Sequence, residues 1–116
     1  MGANKDLGLA RSKMKTIVIA FDVDGTLRCN CTDFCTDANQ QIVNLFKILA
    51  TFKNTDLYVW SGGGGDYARS FAHHYKLPVK DSHCRGKIGS TLKPDIAIDD
   101  IQDTGLGFLN LIVREK

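Results

Sequence analysis

No apolar run in the chain approaches the roughly 18 residues that a membrane-spanning helix needs, so no membrane partner is expected. Residues 1–13 lack the apolar core of a secretory signal. Neither charge sign dominates: 15 Lys and Arg against 13 Asp and Glu leave a net charge of +2. That is too little to argue for a nucleic-acid partner by itself. No internal repeat occurs, and the glycines at 62–65 are the nearest thing to a low-complexity run. With 116 residues, 43% of them hydrophobic, the expectation is one cytoplasmic domain that builds its own core.

Three familiar motifs are also missing. The four cysteines, at positions 29, 31, 35 and 84, include no CxxC pair, so a zinc ribbon is not expected. Cys29, Cys31, Cys35 and Cys84, with His83, still offer thiols and an imidazole. In a reducing compartment the cysteines are read as free thiols. The glycine tetrad is not a dinucleotide loop, because Tyr67 stands where GxGxxG needs its last glycine. Gly86-Lys87 is not a GxxxxGK[ST] loop, since Asp81 and Ile88 occupy the first-glycine and hydroxyl positions.

What is present alternates. Residues 16–21 form a β-branched, nearly continuous apolar run of the kind that suits a buried parallel strand. A polar loop follows over 25–36, with Thr36 as N-cap of a helix over 37–53, where Ile42, Leu45, Phe46, Leu49 and Phe52 recur at helical spacing. Further strands are predicted at 57–60, 77–79, 96–98 and 109–113, and a second helix at 66–75. Residues 1–13 read as a disordered extension or leader, and 14–116 as the domain. Strands alternating with helices predict an α/β fold with a mostly parallel sheet, a three-layer Rossmann-like sandwich.

In such sheets ligands bind at the carboxyl ends of the strands. Asp22 and Asp24 lie at the end of the first strand, Ser61 and Gly62 after the second, and Asp99 and Asp100 after the strand beyond Pro94. All meet at one edge. Carboxylates gathered this way repel one another unless a cation sits among them. An all-oxygen set favours a hard cation, Mg²⁺ above all, which accepts substrate phosphate as a further ligand. Ser61, the backbone N–H groups after it and a nearby lysine would cradle that phosphate. One carboxylate would attack phosphorus, and a second, two residues on, would move the proton.

The segment Asp22-Val23-Asp24-Gly25-Thr26-Leu27 resembles the DxDGT(L) signature of the haloacid dehalogenase superfamily of phosphohydrolases. Ser61 before Gly62 resembles that family's second motif, and Ile98-Asp99-Asp100 its acidic fourth motif. The resemblance spans roughly residues 14–113. It implies a nucleophile and metal ligand at Asp22, and a general acid/base at Asp24 whose backbone carbonyl also meets the metal. It implies loop support from Thr26, phosphate binding by Ser61 and Gly62, and direct metal ligation by Asp100. Asp99, and more weakly Asp103, would stand behind the metal. The motif lysine is read as Lys87, in a glycine-flanked loop, with Lys93 second because it abuts the start of its strand.

Many members of that family carry a cap domain over the site. Neither interval between the motifs has room for one, so the resemblance is to a capless, minimal member. An open site suits a large phosphorylated substrate, and a small one would need another subunit to exclude water. The FDVDGTL and IDD segments also resemble polynucleotide 3′-phosphatases, whose second motif usually reads SGR where this chain reads SGGGG. A receiver-like phospho-acceptor module is the non-enzymatic alternative; it would lack the acid/base that Asp24 provides.

Overall fold

The computed structural model describes residues 16–29, 37–101 and 106–113. The elements are β1 (Ile17–Asp22), α1 (Gln40–Leu49), β2 (Thr55–Ser61), α2 (Gly65–His74), a single 3₁₀ turn (Asp81–His83), β3 (Cys84–Gly86), β4 (Ile96–Asp99) and β5 (Leu109–Ile112). The five strands form one sheet in the order β3-β2-β1-β4-β5, and every pairing is parallel.

That order fixes where a site can form. The chain steps outward from β1 through β2 to β3, then returns past β1 to lay down β4 and β5. The order therefore reverses between β1 and β4, whose carboxyl ends flank the crevice at the switch point. Phe21 pairs with Ile98, which brings Asp22 and Asp99 level with each other.

Steps in one direction with right-handed crossovers place their helices on one face. Both α1 and α2 obey this. Val43 and Phe46 of α1, and Ala68, Phe71 and Ala72 of α2, share a core with Ile19 and Phe21 of β1, Leu57 and Val59 of β2, and Ile98 of β4. These strand residues alternate with Ala20, Trp60 and Ala97, which are buried on the opposite face. Phe21 and Phe46 meet edge to face at 4.9 Å, a geometry aromatic pairs favour. Both described α-helices pack on the first face, and the return from β3 to β4 is an irregular segment.

Several boundaries differ from the sequence expectation. Residues 77–79 are not a strand. Pro78 has no N–H to donate, and the Val79 N–H closes a tight turn onto the Leu77 carbonyl. Leu77 is instead buried in the core. The edge strand is β3, with Val59 opposite Cys84 and Ser61 opposite Gly86. It shows no apolar alternation because an edge strand is paired on one side only. Helix α1 starts at Gln40, later than expected, because residues 37–39 are tied to the loop after β1. The Cys29 N–H donates to the Asp37 carbonyl, the Asn39 N–H donates to the Leu27 carbonyl, and Arg28 and Ala38 form an antiparallel bridge. Thr36, the expected cap, lies outside the described residues. The helix ends at Leu49, short of 53, as the chain turns back toward β2.

One cysteine is a free thiol as expected and one is not. Cys84 is a free thiol, but it is packed in the core, where burial raises its pKa. It joins no metal-capable grouping among the described residues. Cys29 is disulfide-bonded, where a free thiol was expected, and its partner lies outside the described residues. The expectation rested on a reducing compartment, which bears on all the thiols alike and not on the local approach of two sulfurs. Cys31 and Cys35 also lie outside the described residues. No helix among the described residues is long and apolar enough to cross a membrane.

Candidate active site

The loop after β1 is a tight turn built on its own backbone. The Leu27 N–H donates to the Asp22 carbonyl, and the Arg28 and Thr26 N–H groups donate to the Val23 carbonyl. The side chains of Val23, Thr26 and Leu27 are fully buried, so the turn is anchored from beneath. Gly25 sits at φ +82°, a region open to glycine at little cost. A Cβ there would collide with the Asp100 carboxylate, so glycine is also what lets Asp100 approach the turn. The expected cost of Gly25→Ala is at least about 2 kcal/mol, from the left-handed backbone and the overpacking together. Urea unfolding would measure it. A variant as stable as the parent would mean that this contact constrains nothing.

Lys87 stands at the centre of the acidic edge. Its Nζ lies 2.7 Å from Asp22 Oδ1 and 2.8 Å from Asp99 Oδ2. Its backbone N–H donates to the Ser61 carbonyl, so the segment after β3 is stitched to the end of β2. The β3–β2 pairing, which ends with Ser61 opposite Gly86, sets Lys87 beside this edge. Lys93, the second choice, is exposed and lies just before β4, at the opposite strand end. Asp103 lies outside the described residues.

Asp22, Asp99 and Asp100 can bring one carboxylate oxygen each within 4.8 Å of one another. Asp22 and Asp99 are buried, and Asp100 is half-buried. Burial pushes the Asp22 carboxyl up from 3.8 to about 7; the Lys87 bond opposes that rise, and the charges of Asp99 and Asp100 add to it. Burial also acts on Asp99, but the Lys87 ammonium and the Ile101 N–H outweigh it and hold this carboxyl below its ordinary value. Asp100 is raised, by burial and then by its bond to Asp99. Lys87 itself is raised, because its two carboxylate partners exceed the desolvation that lowers it. One ammonium against three carboxylates leaves two negative charges unmatched when all are ionised. The residues present therefore fit a hard divalent cation with oxygen ligands.

The other expected residues surround this cluster in different ways. Thr26 Oγ1 lies 3.4 Å from Asp22 Oδ2 and donates toward it. Ser61 is buried, and its Oγ accepts the Gly63 N–H at 3.0 Å. Gly62 is exposed, and a Cβ added there would meet nothing, so the chain just after Ser61 is open to solvent. Asp24 is not part of the carboxylate triad. Its side chain is 54% exposed and turns toward α2, where Oδ1 accepts the Tyr67 hydroxyl at 2.6 Å and Arg28 Nη1 at 3.3 Å. The two aspartates of the DxD segment thus occupy different surroundings: one buried against Lys87, one at the rim.

Tyr67 and Arg28 were not singled out from sequence. The available signal was positional. A helix that begins directly after a strand's carboxyl end carries its first-turn side chains over the site, and Tyr67 is the third residue of α2. The His83 imidazole, a thiol-cluster candidate by sequence, pairs with Asp56 at 2.9 Å and stacks on Tyr58. Among the described residues the triad is the one grouping suited to a metal.

No family model, curated protein or solved structure matches the chain.

Proposed function

We propose that the protein is a capless, Mg²⁺-dependent phosphomonoester hydrolase of the haloacid dehalogenase type, working through an aspartyl phosphate on Asp22. The observation that carries this reading is the separation of the two aspartates, with Lys87 bridging Asp22 and Asp99 while Asp24 stands apart at the rim. Two carboxyl groups in contrasting environments are what a nucleophile and an acid/base require.

Asp22 attacks phosphorus, and the ester oxygen departs with a proton from Asp24. Asp24 then takes a proton from water, which attacks the aspartyl phosphate, frees inorganic phosphate and restores Asp22. Lys87 holds Asp22 in place and meets the growing charge on the phosphoryl oxygens. Ser61 and the Gly62 N–H receive those oxygens from the β2 side. Mg²⁺, held by Asp22, Asp100 and the Asp24 carbonyl with Asp99 behind, would neutralise the phosphoryl charge when bound.

The intervals where a cap would enter hold α1 and β2 on one side, and α2, the 3₁₀ turn and β3 on the other. The test is hydrolysis of a panel of sugar phosphates, nucleotides, phosphopeptides and 3′-phosphorylated oligonucleotides, with Mg²⁺ and with chelator. Release of phosphate only with the metal is the expected result, and strong preference for the oligonucleotide would identify an end-processing enzyme. Acetyl phosphate separates the remaining rival: a long-lived phosphoprotein in place of rapid phosphate release would make the chain a receiver-like module.

A further inference from the structure

A cavity of about 430 Å³ is walled by Arg28 and Tyr67, the two side chains bonded to Asp24, and by Ser70, Phe71, His74 and Tyr75. We propose that this cavity is the leaving-group subsite and that it takes a planar aromatic ring carried next to the ester oxygen; the proposal rests on the phosphatase reading above.

Position comes first. A general acid has to lie within hydrogen-bond reach of the oxygen it protonates, so the leaving group occupies Asp24's side of the phosphate. The two side chains that hold Asp24, Tyr67 and Arg28, are themselves walls of the cavity. A substrate with its phosphoryl group at Asp22 and its ester oxygen at Asp24 therefore projects its body into this space. The second large cavity, lined by Gly65, Arg69 and Arg85 among others, includes neither of the two side chains that hold Asp24.

Lining chemistry then selects the occupant. Three aromatic rings face one cavity, and Phe71 and Tyr75 already stack in a tilted pair at 4.7 Å, with His74 edge-on to Tyr75 at 4.6 Å. Such walls favour a ring in offset or edge contact. A second anionic group is disfavoured, because the cavity's arginine is engaged with Asp24 and Asp37 adds a carboxylate to the lining. The helix face also leaves Ser70, a small and exposed residue, as a wall where bulk can be added without disturbing the core.

Benzyl phosphate and propyl phosphate test this, since both release an alkoxide and differ mainly in the ring. The expected kcat/KM is about tenfold higher for the benzyl ester, the factor that one or two aromatic contacts supply. Ser70→Trp, which fills the cavity, is expected to bring the ratio toward one, with circular dichroism and thermal unfolding reporting that the variant is folded. Benzylphosphonate and propylphosphonate as competitive inhibitors give the same ratio from binding alone. Equal turnover of the two esters by the parent, or a ratio that Ser70→Trp leaves unchanged, overturns the proposal while the phosphatase reading stands. Failure to hydrolyse either ester or acetyl phosphate with Mg²⁺ removes the phosphatase reading, and this inference with it.

Discussion

Asp22→Asn is expected to lower turnover of a small phosphate ester by at least about 10⁴-fold, the scale seen when a nucleophile is removed, and to stabilise the metal-free protein at pH 8. The two effects have one cause. In the folded protein burial raises the Asp22 carboxyl from 3.8 to about 7. A group whose folded pKa lies above its unfolded value contributes its stability in full below the unfolded value and loses it as pH rises through the folded one. For Asp22 that window runs from about pH 4 to 7, and the gap caps the contribution at about 4 kcal/mol. Asp100 is shifted the same way. Asp99 is shifted down, so its contribution is lost only in stronger acid, outside this window, and Lys87 is raised from 10.5, above it. Metal-free protein should therefore unfold more easily at pH 8 than at pH 5. Asparagine keeps the shape and an acceptor for Lys87 while removing the charge, so the variant should lose most of that slope and gain about 1–2 kcal/mol at pH 8. Urea unfolding at the two pH values checks it. Full metal-dependent turnover by the variant would end the aspartyl-phosphate mechanism. An undiminished pH slope would mean that Asp22 is not the group under strain.

The acidic edge is half legible in the sequence. Alternating apolar runs gave the α/β class, and the aspartates at strand ends gave the edge. The run at 16–21 read as a buried parallel strand because its apolar residues are nearly continuous, and β1 is the central strand with neighbours on both sides. The edge strand failed for the complementary reason. Cys84-Arg85-Gly86 carries no pattern of its own and is a strand because β2 offers it free carbonyls and N–H groups. Its consequence for the site is direct, since β3 ends at Gly86 and delivers Lys87 beside Ser61. In the sequence loop flexibility points to this lysine, whereas its placement comes from a strand that carries no pattern of its own.

The rim of the site was hidden for a different reason. Tyr67 counts as one more apolar-face residue in the helical pattern of 66–75, and nothing in that pattern says that its hydroxyl reaches Asp24, 43 positions earlier. Arg28 looked like ordinary loop polarity. Periodicity reports which face of a helix is buried, and it is silent about which residue at the helix's first turn overhangs a neighbouring strand end. The buried half of the site was therefore readable, because burial of charge demands partners, while the exposed half emerged only from the packing of α2 over the first loop.

Lys87→Met should be the most damaging single change to stability. Methionine retains most of the aliphatic stem but leaves Asp22 and Asp99, both buried, with no cation between them. Breaking a buried ion pair from one side costs about 3–5 kcal/mol, a large share of the 5–15 kcal/mol that holds a typical domain together. The loss should depend on pH with a definite sign. Lys87 stays charged throughout the neutral range, so the parent's pair is constant there. In the variant both carboxyls can escape by taking up protons, so the deficit should be greatest above pH 7 and shrink toward pH 5. A second substitution, Asp99→Asn, removes one of the stranded charges and should recover a large part of the stability. It should not recover turnover, which is expected to fall by about 10³-fold when a donor aimed at the transition-state charge is lost. Thermal unfolding of both variants at pH 5 and 8, beside phosphate release at saturating Mg²⁺, separates the structural from the catalytic part. If Lys87→Met were as stable as the parent at pH 8, the lysine would not be what holds the carboxylates together. If stability alone fell and turnover did not, Lys87 would be a structural counter-ion, and the phosphoryl charge would have to be met elsewhere.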